Sequence, residues 1–62
     1  MSVNKMYEFV KENTEGLDVI YEDYLIRLVG EHGLQMLRAN HLIESCGVIN
    51  GRQMWMLVDK NR

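Results

Sequence analysis

The sequence predicts an α+β fold in which three short helices are followed by a C-terminal β-hairpin. Apolar residues near the start recur at helical spacing, and a pair of glycines interrupts a second helical stretch. From Leu42 onward, two extended apolar runs flank Asn50-Gly51.

In the first helix, Val3, Met6, Tyr7 and Val10 fall at i, i+3, i+4 and i+7, the spacing of one buried stripe. Ser2 is placed to cap its first turn, so the helix spans 3–13. Gly16, in Asn13-Thr14-Glu15-Gly16, suits the left-handed backbone of a helix stop. Phe9 lies off the stripe and is available to widen it or to meet a partner.

Asp18 is placed as the N-cap of a second helix over 19–29, whose Ile20, Tyr24 and Leu28 form one i+4 row. Gly30 and Gly33 each cost about 1 kcal/mol relative to alanine inside a helix, which favours a turn between them. The third helix then runs over 32–40 with Leu34 and Leu37 facing the core. One long helix over 19–40, kinked at the glycines, is the alternative.

Asn50-Gly51 is the dipeptide best suited to a two-residue type I′ turn, because both central residues must take positive φ. That turn sets Ile49 opposite Arg52, Gly47 opposite Met54, Cys46 opposite Trp55 and Ile43 opposite Val58. One face then carries Ile43, Ile49, Met54, Met56 and Val58, and the other Leu42, Cys46, Val48, Trp55 and Leu57. Both are largely apolar, which calls for a second covering layer: helix one or another subunit. A homodimer is expected on this ground, with Phe9, Met54, Trp55 and Met56 at its interface.

At 62 residues, the chain has material for a single domain over 1–62, because a chain of about 60 residues buries only about 60% of its unfolded surface. The lone Cys46 excludes an internal disulfide. No apolar run reaches the length of a signal peptide or membrane span, so the expected location is cytoplasmic, with no membrane partner. Residues 1–30 carry three Lys and Arg against six carboxylates, and residues 31–62 carry four against three. The second half can therefore present a nucleic-acid face, although a net charge of −2 is far from the basic footprint usual for DNA binding.

The stretch Leu37-Arg38-Ala39-Asn40-His41-Leu42-Ile43-Glu44-Ser45, followed by Val48-Ile49-Asn50-Gly51-Arg52-Gln53-Met54-Trp55-Met56-Leu57, resembles the end of a winged helix-turn-helix. In that superfamily, a recognition helix closes with a leucine, a few polar residues, a glycine and a Leu-Ile pair. A β-hairpin wing with Gly-Arg near its tip follows. His41 stands where glycine is usual, at a left-handed position that histidine tolerates. The resemblance covers the last third of the chain best, and it implies fold more firmly than function, since some members bind proteins rather than DNA.

On the DNA-binding reading that it implies, His32, Gln35, Arg38 and Ala39 face base edges in double-stranded DNA, and Arg52 reaches a phosphate or the minor groove. Arg27, Lys60 and Arg62 are the other candidate cations. The alternative is a protein-interaction module, an inhibitor or adaptor, on the same fold. Convergence of Arg38, Arg52, Lys60 and Arg62 on one face separates the two.

Glu12, Glu15, Asp18, Glu22 and Asp23 run without an intervening cation, which suits helix N-terminal regions, a solvated face or a basic partner. His32, His41, Glu44 and Cys46 match no zinc spacing, and no nucleophile-base set or phosphate loop can be assembled. No enzymatic activity, cofactor or metal is therefore expected.

Overall fold

The computed structural model describes residues 2–59. Its elements are α1 (Val3–Asn13), β1 (Ile20–Tyr21), α2 (Glu22–Ala39), β2 (Ile43–Ile49) and β3 (Arg52–Leu57). The fold is α+β, with two helices and a three-stranded antiparallel sheet in the order β1-β3-β2.

Helix α1 has the bounds its apolar stripe predicts. The Ser2 hydroxyl accepts the Lys5 N–H at 3.3 Å, satisfying one of the donors a helix start leaves unpaired. Tyr7 and Val10 are buried, and Val3 and Met6 pack beside them. The Tyr7 hydroxyl donates to the Val58 carbonyl at 2.6 Å, tying the first helix to the end of the hairpin. Helix α1 thus belongs to the chain's own core. Thr14 closes it, buried, with its hydroxyl donating to the Val10 carbonyl at 2.8 Å.

The second helix begins later than Asp18 implies. Residues 20 and 21, expected in its first turn, form β1 instead, with Ile20 opposite Trp55 and Tyr21 opposite Met54. Asp18 is not the cap; Tyr21 is, in extended conformation and without a side-chain hydrogen bond. The partner strand lies more than thirty residues away in sequence, and its pairing overrides the local helical spacing of Ile20, Tyr24 and Leu28.

The three-helix expectation is corrected to a single α2 with a break inside it. Gly30 has φ 79° and ψ 170°, a backbone region that is essentially glycine's alone, and it separates 22–29 from 31–39. Only the first glycine makes the break. Gly33 is helical and buried, and a Cβ there would stand 2.7 Å from Val29 Cβ and 3.2 Å from Met6 Sδ, so its missing side chain permits a close approach between the helices. At the far end, the His41 N–H donates to the Arg38 carbonyl at 3.0 Å and the Leu42 N–H to the Leu37 carbonyl at 2.9 Å. This is a Schellman cap, and His41, at φ 57°, fills its left-handed position.

Asn50 and Gly51, at φ 54° and 77°, form the hairpin turn as predicted. Ile49 pairs with Arg52 and Gly47 with Met54, also as expected. Beyond that the register shifts: Ser45, not Cys46, faces Trp55, and Ile43 faces Leu57, not Val58. Cys46 is the extra residue of a β-bulge, and one added residue moves every preceding side chain to the opposite face.

The two expected apolar faces are redrawn accordingly. Ile43 joins Trp55 and Leu57 on the core side with Ile20, while Glu44 takes the outer side opposite Met56. The core cluster is completed by Tyr7, Val10, Leu25, Leu34 and Leu37, of which Val10, Leu25 and Leu37 are wholly inaccessible. Burying each such aliphatic chain contributes about 1.5–3 kcal/mol, and the three helical segments and one sheet face enclose this core.

Two substitutions test these assignments by thermal unfolding. Gly51→Val should lower the melting temperature by several degrees, because a β-branched residue is strained at φ 77°; an unchanged value would refute the turn. Gly33→Ala should also destabilise, the opposite of its effect on an open helix. Overpacking costs about 1–3 kcal/mol against a propensity gain of about 1 kcal/mol. A stabilised variant would mean that Val29 and Met6 yield freely.

Candidate interaction surfaces

The segment 31–39 of α2 turns Gly33, Leu34 and Leu37 inward, which leaves His32, Gln35, Arg38 and Ala39 exposed together on the opposite side. The i, i+3, i+6 spacing of His32, Gln35 and Arg38 forms one ridge, so the residues expected to face base edges share a surface.

Arg52 is engaged elsewhere. Its Nη2 donates to Asp23 Oδ2 at 3.1 Å, and its guanidinium carbon lies 4.1 Å from the centroid of the Tyr21 ring. The two charged side chains remain 52% and 74% exposed, so the ion pair contributes about 0–1 kcal/mol and the ring contact about as much again. These contacts direct the cation toward the start of α2, whereas Arg38 sits in its last turn. Arg52 and Arg38 therefore do not converge. Lys60 and Arg62 lie outside the described residues, and Arg27 is exposed on the first half of α2.

The start of α2 concentrates polar contacts. The Trp55 indole N–H donates to Glu22 Oε1 at 3.2 Å, and Tyr21, Glu22, Asp23, Arg52 and Gln53 line a shallow depression of about 290 Å³ together with the hairpin tip. Arg52 beside the hairpin turn and Asp23 within a carboxylate run are each visible in the sequence, but their pairing depends on β1 meeting β3.

Of the residues expected at a dimer interface, Met54 and Trp55 are 4% and 6% exposed. Both are buried within the chain: Trp55 belongs to the core cluster, and Met54, its neighbour on β3, lies outside that cluster. Phe9 and Met56 are each 40% exposed. Phe9 borders an apolar groove of about 300 Å³ with Met6, Leu28 and Val29.

A second apolar cleft, of about 290 Å³, is lined by Leu17, Val19, Ile20, Tyr21 and Tyr24. Leu17, Val19 and Tyr21 are its exposed members, and the Tyr24 hydroxyl donates to the Asn13 carbonyl at 3.2 Å on one side. The sequence signal for this surface is the alternation Leu17, Val19, Tyr21, a strand-like period that overlaps the helix start suggested by Asp18.

His32, His41 and Glu44 are exposed and Cys46 is half-buried in the bulge. Among the described residues, no three His, Cys, Asp or Glu side chains gather in an arrangement able to hold a metal ion, and no helix is long and apolar enough to cross a membrane. Comparison with known family models, curated proteins and solved structures finds no match to this chain.

Proposed function

We propose that the chain is a small non-enzymatic regulator that acts by binding another protein on a winged-helix-like frame. Support for the frame comes from the chain order, α1, β1, the two halves of α2, then the hairpin, and from the β1-β3-β2 sheet. The break at Gly30 supports reading the two halves of α2 as a helix-turn-helix, with 31–39 taken as its recognition helix and β2-β3 as its wing.

The capture of Arg52 by Asp23 and Tyr21 carries the choice of partner. A wing cation meant for phosphate is instead held against the most acidic part of the chain. The described residues hold nine carboxylates and only five Lys and Arg side chains. Affinity for a duplex rests largely on cations that displace condensed counterions, and this surface supplies few.

A second reading, binding to double-stranded DNA, is favoured by the His32, Gln35 and Arg38 ridge, where glutamine and arginine offer the bidentate donors that suit adenine and guanine. Fluorescence anisotropy with random duplex at low salt separates the two. The protein-binding reading expects no saturable binding. Affinity that falls steeply with salt, and loses sequence preference in Arg38→Ala, would install the DNA reading in its place.

With Met54 and Trp55 buried in the chain's own fold, the proposal is for a module that is monomeric before it meets its partner. Sedimentation equilibrium at micromolar concentration should return the monomer mass, with Trp55 fluorescence independent of concentration. A dimer that dissociates on Phe9→Ser or Met56→Ser would instead assign those two side chains to a two-fold interface.

A further inference from the structure

The end of the hairpin away from its turn holds a small cleft whose lining carries two carboxylates. It measures about 180 Å³ and is lined by Glu44, Met56, Leu57, Val58 and Asp59. Glu44 and Met56 face each other across β2 and β3, and both are exposed. Glu44 forms no ion pair among the described residues, and none of the described Lys or Arg residues lines the cleft; Lys11 meets Asp59 only at the neighbouring depression that Tyr7 and Leu57 also line. The backbone of the cleft is held from two sides. The Val58 N–H donates to the Leu42 carbonyl at 3.0 Å, and the Val58 carbonyl accepts the Tyr7 hydroxyl at 2.6 Å, so the site is ordered before anything enters it.

Size and chemistry narrow the occupant. Pockets for small molecules begin at roughly 300 Å³, and this cleft is smaller, on the scale of one long side chain. Lysine and arginine run an apolar stem along apolar surface and carry a charged head at its end. Met56, Leu57 and Val58 supply the surface for such a stem, Met56 with a thioether that adapts its shape, and Glu44 and Asp59 supply the opposite charge for the head. Resting on the protein-binding reading, we propose that this cleft receives a single lysine or arginine side chain of the partner protein.

The test uses the ¹⁵N-labelled chain and two capped tripeptides, Ala-Arg-Ala and its citrulline counterpart, which keeps the stem and loses the charge. The arginine peptide should shift the amide resonances of residues 44 and 56–59 saturably at millimolar concentration and bind more weakly as salt rises, while the citrulline peptide should leave them in place. Glu44→Gln should weaken the arginine peptide about threefold, the scale of one exposed ion pair, and Glu44→Lys should abolish its binding. Glu31→Lys makes the same charge change on α2 and should leave binding nearly unaltered; both positions are exposed, so the fold is not at stake. Shifts centred elsewhere, no saturable shift, equal response to both peptides, or equal loss in Glu44→Lys and Glu31→Lys would overturn the assignment of this cleft without touching the wider reading. So would tighter binding after Lys60→Ser with Arg62→Ser, which would give the cleft to the chain's own C-terminal cations. Random duplex DNA, titrated in parallel, tests the wider reading separately: shifts over 31–39 would overturn it, whatever the peptides do.

Discussion

The structure depends on the burial of Trp55. Its strand meets β1 at Ile20 on one side and β2 at Ser45 on the other, so the residue holds the middle of the sheet. Its ring lies in the same cluster as Tyr7 and Val10 of α1 and Leu25 and Leu37 of α2, and its indole N–H reaches Glu22 at the start of α2. A chain this short has little apolar surface to spare, and placing its largest side chain where every element meets lets one residue serve the whole core. The indole bond also satisfies a polar group that the same burial would otherwise strand.

Much of this was legible locally. The limits of α1, its Ser2 cap and the Asn50-Gly51 turn follow from local spacing, where backbone preference and hydrogen-bond geometry act directly, and the left-handed His41 follows from the winged-helix resemblance. The misreadings share a different origin. The strand β1, the late start of α2 and the bulge at Cys46 are set by contacts across the sheet, and Ile20-Tyr21 carries a helical spacing that only its distant partner overrules. The two glycines looked equivalent in sequence; packing separates them, since one breaks the helix and the other admits Val29 and Met6.

The same division runs through the candidate surfaces. The ridge of His32, Gln35 and Arg38 was readable because helical periodicity places it. The Arg52, Tyr21 and Asp23 cluster was not, because it joins the hairpin tip to the start of α2. Its consequence for charge is large in so small a molecule. Of the five Lys and Arg side chains among the described residues, Arg52 is held against the acidic end and Arg38 is the one on the helix ridge.

The bulge at Cys46 divides the hairpin into two parts with separate duties. On the side nearer the helix, Ile43 and Leu57 are paired and packed into the core, so their register is fixed by burial. On the tip side, Val48 and Ile49 are 64% and 49% exposed and pair with Gln53 and Arg52. The extra residue works as a phase shifter between these parts: the root keeps step with the core, and the tip keeps step with its turn. The exposed positions on the outer part of β2, Val48 and Ile49, can thereby change side chain while the sheet that supports them stays the same.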